Sequence, residues 1–137
     1  ASLAILGQTW TSGGGGTYGQ SVPVLATGEL VGAAPRSILG VRQDAWFRTN
    51  LMLANATEAT ASVNVQLLST SGAVLGTKSL SIGPLSRAQL NVASDFGYTN
   101  LSDAVFVVSS ATPGAAVGAY ASVIDNATLD PRTLLPR

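Results

Sequence analysis

The sequence contains neither cysteine nor histidine. Without cysteine no disulfide staples the fold, and thiolate metal sites and cysteine nucleophiles are excluded. Without histidine, Ser-His-Asp triads, imidazole general bases and imidazole metal sites are excluded as well. Charge is equally scarce. Only 10% of residues are charged, seven basic and seven acidic, so the net charge is zero. Nothing in that balance attracts nucleic acid or anionic lipid by bulk electrostatics, and no nucleic-acid partner is expected. Long apolar runs are missing too. None approaches the ~20 residues that cross a bilayer, so no membrane insertion is expected. The chain opens Ala1-Ser2, without an initiator methionine or a signal-peptide pattern. It reads as a mature chain, a processed product or an excised domain.

What is present points to one folded unit. The 137 residues are 46% hydrophobic, enough for a single domain over 1–137 with one core. With so little charge, Ser, Thr, Gly, Ala and Asn must cover the surface. That composition suits an extracellular protein, and low net charge eases self-association.

The dominant pattern has period two. In Trp46–Asn55, Phe47, Thr49, Leu51 and Leu53 share one face, and Trp46, Arg48, Asn50 and Met52 the other. In Ala61–Ser69, Ala61, Val63, Val65 and Leu67 alternate with Ser62, Asn64 and Gln66. Arg87–Val92 repeats this, with Ala88, Leu90 and Val92 on the dry side. Each reads as a strand with one dry and one wet face. Val105–Ser109 and Val117–Ile124 are apolar on both faces, as in central strands or strands covered by a partner. Phe47, Leu51, Leu53, Val63, Val65, Leu67, Leu90 and Val92 are the expected core.

Turn residues punctuate these segments. Ser71-Gly72 reads as a hairpin; Gly83-Pro84, Thr112-Pro113-Gly114 and Asp130-Pro131 stop extended segments. Leu3–Trp10 and Tyr18–Leu25 flank the run Gly13–Gly16, a loose hairpin loop, and Pro23 argues for an edge. Ala26–Ser37 is the longest expected loop, and a short helical turn fits near Ser94–Asn100. The expected fold is all-β: a single-domain sandwich of two mostly antiparallel sheets, about nine strands.

Few constellations carry chemistry. Lys78 is the only lysine and follows no Ser-x-x-Lys motif, which removes a Ser–Lys dyad. Gly14–Gly19 matches G-x-G-x-x-G formally, but β-like residues with Pro23 follow where a dinucleotide site needs a helix. The carboxylates sit at strand ends, where Asp caps turns. Asp125-Asn126-Ala127-Thr128-Leu129-Asp130 clusters oxygen atoms as a hard cation requires. It departs from the EF-hand pattern, and an Asx-type turn is the preferred reading. Three Asn-x-Ser/Thr triplets, at Asn55, Asn100 and Asn126, read as chance matches.

Arg42, Asp44 and Arg48 crowd one block. Arg42 and Asp44 read as a network pinning the loop before the Trp46–Asn55 strand, and Asp125 and Asp130 as a second structural block. The competing reading makes Trp46, Arg48 and Asn50 a ligand face, with the indole as stacking platform. No cofactor and no metal are called for.

Four motif blocks resemble a module of large secreted or cell-surface bacterial proteins. They are Gly16-Thr17-Tyr18-Gly19-Gln20, Leu39-Gly40-Val41-Arg42-Gln43-Asp44-Ala45-Trp46-Phe47-Arg48-Thr49-Asn50, Gly72-Ala73-Val74-Leu75-Gly76-Thr77, and Tyr120-Ala121-Ser122-Val123-Ile124-Asp125-Asn126-Ala127-Thr128-Leu129-Asp130-Pro131. The resemblance covers nearly the whole chain. It implies a β-sandwich appended to adhesins, hydrolases or repeat-rich surface proteins, and no activity. Trp46 departs from the pattern, which has a smaller residue before the Phe. The chain is therefore expected to be a non-catalytic structural or adhesion module, secreted or at the cell surface. Its expected partners are a protein, a cell-surface glycan or a second copy. The alternative is a carbohydrate-binding module with an exposed aromatic face.

Overall fold

Side-chain alternation turns directly into two apolar sheet faces. The computed structural model describes residues 5–13 and 15–137. Its strands are β1 (Gly7–Gly13), β2 (Gly16–Val22), β3 (Arg36–Gln43), β4 (Phe47–Asn55) and β5 (Ala61–Ser69). There follow β6 (Val74–Ile82), β7 (Arg87–Asn91), β8 (Leu101–Ser110), β9 (Val117–Asp125) and β10 (Pro131–Leu134). A single-turn helix, α1 (Val92–Phe96), separates β7 from β8. One sheet has the order β10-β9-β4-β7 and the other β3-β8-β5-β6, and all pairings are antiparallel.

The inner faces form one core. Leu51 and Leu53 of β4 and Ala119 and Ala121 of β9 belong to the same buried cluster as Val63, Val65 and Leu67 of β5 and Phe106 and Val108 of β8. The strands β8 and β9, apolar on both faces in the sequence, are central in their sheets. The expected all-β sandwich is the observed fold.

Several details differ. Ten strands are present among the described residues, not nine, and β1 and β2 form a third, two-stranded sheet. Their ladder runs from Gly7↔Val22 to Gly13↔Gly16, so the strands extend into the glycine run expected to be loop. Residues 1–4 and 14 lie outside the described residues. The loop expected over Ala26–Ser37 holds a 3-10 turn at Thr27–Glu29 and a bridge between Val31 and Val117, and passes into β3 at Arg36. Val92 starts α1 instead of ending a strand, yet stays buried. Phe47, expected in the core, is only half-buried because it is the first residue of β4, at the open mouth of the sandwich.

The small helix lies at this same end, near the β6–β7 edge, between Asn91, which pairs with Asn50, and Leu101, which pairs with Gln43. The Asn91 side chain accepts from the amides of Ala93 and Ser94, and Gly97 ends the turn at φ 77°. The Phe96 ring packs 5.7 Å from that of Phe106. Gly76 of β6 makes room for it: a Cβ there would stand 3.0 Å from the Phe96 ring.

The β1–β2 hairpin lies against the outer face of the β10-β9-β4-β7 sheet. Ser122 Oγ donates to Gln20 Oε1 at 2.8 Å, and Thr133 Oγ1 donates to the Ser21 carbonyl at 3.2 Å. The outward side chains of β9 thus have a cover within the chain itself.

The facing assignment has a direct check. Urea unfolding of Leu51→Ala should show a loss of about 2–5 kcal/mol, because a fully buried side chain leaves a cavity. Val65→Asp should prevent folding, while Gln66→Leu should stay within roughly 0.5 kcal/mol of wild type.

Candidate functional site

The densest polar groups meet at one end of the sandwich, where two turns lie side by side. The first links β3 to β4. Asp44 Oδ1 accepts the amides of Trp46 at 2.8 Å and Phe47 at 2.9 Å, and the Asp44 amide donates to the Phe47 carbonyl at 2.8 Å. Arg42 Nε donates to Asp44 Oδ2 at 2.6 Å. Its guanidinium carbon lies 4.0 Å from the centre of the Phe47 ring. A planar guanidinium can donate from its edge to a carboxylate while its face lies over a ring.

The second turn links β9 to β10. Asp125 Oδ1 accepts the amides of Ala127 at 2.7 Å and Thr128 at 3.0 Å, the Asx geometry expected there. The Asp125 amide donates to the Asp130 carbonyl at 3.0 Å, and the Leu129 amide to the Asp125 carbonyl at 2.9 Å. Leu129 adopts a left-handed φ of 64°.

Asn126 joins the two turns. Its amide donates to the Trp46 carbonyl at 2.8 Å, and its Nδ2 to the Ala45 carbonyl at 3.2 Å. Its Oδ1 accepts from Arg48 Nη1 at 2.7 Å. A cleft of about 600 Å³ opens beside them, bordered by Arg42, Phe47, Asp125, Thr128, Asp130 and Arg132.

The two sequence blocks are therefore neighbours in space. Arg42, Asp44 and Asp125 spend side-chain atoms on the turns. Asp130 differs: among the described residues it bonds through its backbone, the amide donating to Thr128 Oγ1 at 3.3 Å. The candidate ligand face does not converge. Trp46 precedes β4 and is 67% exposed in the turn. Arg48 is engaged by Asn126, and Asn50 Oδ1 accepts from Asn91 Nδ2 at 2.8 Å.

Some polar residues were not singled out by the sequence. Asn126 stood inside a noted block, but its links to Ala45 and Trp46 span 81 and 80 positions and have no local signature. Asn55 is buried, 3% exposed. Its Nδ2 reaches the carbonyls of Ala59, Ile82 and Gly83, and its Oδ1 accepts from Thr57. That bonding makes it a loop tie, and a poor glycan acceptor.

Electrostatics at the turns favour ionised carboxylates. Burial raises the Asp44 carboxyl, but the Arg42 hydrogen bond and the Trp46 and Phe47 amides outweigh it and bring it below its ordinary value. The Thr128 and Ala127 amides lower Asp125. A general acid would need a carboxyl raised toward neutrality, and Asp125 is moved the other way. Among the described residues no three acidic side chains gather as a cation site requires.

No family model matches the sequence, and no curated protein is similar to it. The fold is similar to that of the crystal structure of Thermotoga maritima 1070. The two share a TM-score of 0.59 at 15% identity, over 77% of this chain and 91% of the other. At that identity the likeness is one of fold.

Acid titration should expose the two carboxylates. Both lie below 3.8 in the folded chain, so the unfolded chain takes up protons first as pH falls. Their contribution is present above the unfolded value and is lost as pH drops through the folded ones. The melting temperature should fall below about pH 5. Asp44→Asn and Asp125→Asn should lower it at neutral pH and flatten its acid decline. Asp130→Asn, which spares the backbone bonds, should leave the neutral value unchanged.

Proposed function

We propose that this chain is a non-catalytic interaction module of a secreted or cell-surface bacterial protein. The observation that carries the reading is the exposure of both tryptophans. Trp10 is 73% exposed and Trp46 67%. Leu6 and Leu85 are similarly uncovered, on a chain with few charges. Tryptophan carries much of the binding energy at protein interfaces, and single exposed apolar residues gain weight when both indoles are among them. The motif resemblance to a surface-protein module supports the same reading. So does the use of Asp44 and Asp125 on backbone amides, which leaves those oxygens committed to the turns.

One observation favours a second reading, carbohydrate binding. The exposed Trp46 indole belongs to the turn whose carbonyl Asn126 holds, and the same Asn126 accepts from the Arg48 guanidinium. An exposed indole is the kind of stacking platform on which sugars are held.

Labelled chain incubated with bacterial cell envelopes should show saturable retention, reduced by Trp10→Ala or Trp46→Ala with the melting temperature unchanged. Chromogenic glycoside, ester and peptide substrates should release no product. Turnover of any of them, abolished by a substitution at Asp125 or Asp130, would contradict the module reading. Retention competed by a soluble glycan, and lost with Trp46→Ala alone, would select the second reading.

A further inference from the structure

A separate cavity lies between the β1–β2 hairpin and the sheet it covers, away from the two turns. It measures about 330 Å³, within the range of small-molecule sites. Its existence follows from residue size. On the outer face of the sheet, Ala54 of β4 pairs with Gly118 of β9 on one side and Arg87 of β7 on the other. The next row pairs Met52 with Tyr120. A methyl group and a hydrogen therefore stand where longer side chains would fill the space. Val22, Pro23 and Leu25 pass over this floor and enclose it from the hairpin side. A Cβ at Gly118 would meet Leu25 at 3.4 Å, an ordinary contact. The space thus reflects the side chains chosen, and backbone crowding does not forbid filling it.

The lining is mostly apolar, with the Thr9 hydroxyl on the hairpin side and a charged group at the β7 edge. Arg87 of β7, which forms no ion pair among the described residues, borders the cavity, as does Tyr120 of β9 on the other side of β4. Burial raises the Tyr120 phenol, and Arg87 acts in the opposite direction, which places the guanidinium within electrostatic reach of the ring hydroxyl. A phenol that stays protonated is a donor, and a guanidinium is a donor fork with a positive charge. No acidic side chain borders the cavity to offset that charge.

We propose that this cavity binds a small amphipathic carboxylate, its hydrocarbon body over Ala54 and Gly118 and its carboxylate against Arg87 and Tyr120. The apolar floor and roof select the body. The single guanidinium selects an anion and disfavours an ammonium. The hairpin roof limits the ligand to a free small molecule, in preference to an acyl chain held in a bilayer. This site is independent of the module reading, since it shares no residue with the exposed tryptophans.

The test is titration of the full chain with octanoate, octanol and octylammonium, followed by amide chemical shifts. Octanoate should bind at millimolar or better affinity and shift Val22, Leu25, Gly118 and Tyr120. Octanol should bind more weakly and octylammonium not measurably. Arg87→Gln should weaken octanoate by about ten-fold, the loss of one charge-assisted bond, and leave octanol unchanged. Gly118→Val should fill the floor and abolish both. Ala54→Leu does the same from the neighbouring strand, should Gly118→Val fail to fold. The proposal is overturned if octanoate leaves these amides unmoved, or binds the filled variants as well as wild type. Equal binding of octylammonium also overturns it, as does binding to phosphatidylglycerol vesicles with none to soluble octanoate.

Discussion

Backbone amides that leave a ladder at a strand end must find an acceptor, and in this chain two aspartates supply it at one place. Asp44 takes the amides of Trp46 and Phe47, and Asp125 those of Ala127 and Thr128. Buried or half-buried amides left unpaired cost more than most single contacts return. The first turn carries the chain from one sheet to the other, so its geometry sets how the two sheets face. The second keeps β9 and β10 in one hairpin. Asn126 then ties the turns together, so the mouth of the sandwich closes on a hydrogen-bond network in place of the disulfides the chain lacks. The few charges that remain are concentrated here because a carboxylate serves two amides at once, where a hydroxyl serves one less firmly.

The other organising feature is the hairpin. A two-stranded sheet is marginal by itself and must lie on something. Here it covers β9 and β4, whose outward faces include Met52, Tyr120 and Ile124. It does so incompletely. The small side chains at Ala54 and Gly118 leave a cavity, and Trp10 stays largely exposed to solvent. The same element thus hides one apolar surface and displays another, and both features depend on how it docks.

Much of the architecture was legible in the sequence, for reasons that individual strands show. In Ala61–Ser69 the inner residues are apolar and the outer ones polar, so period two identifies both the strand and its buried face. In Val117–Ile124 both faces are apolar, and the sequence says only that both are covered. It cannot say that residues a hundred positions earlier supply the cover. The strand β3 was hidden for a different reason. Its buried residues Ile38, Val41 and Gln43 are spaced by three and then two, because Gly40 at φ 83° and two register shifts interrupt the pleat. Trp46 was assigned to β4 by alternation, but the Asp44 turn claims it first. At the candidate site the block residues could be named, since Asp near turn signals caps amides. The Asn126 link and the Ala54–Gly118 gap could not, because both are products of pairing between distant strands.

The central claim is that the two turns act as one unit, and native-state hydrogen exchange tests it most directly. In wild type the amides of Trp46, Phe47, Asn126, Ala127 and Thr128 should share a common, slow opening. Asp125→Ala should speed exchange in both turns, including Trp46 and Phe47, which it does not touch. Faster exchange confined to Ala127 and Thr128, with Trp46 and Phe47 unchanged, would contradict the claim.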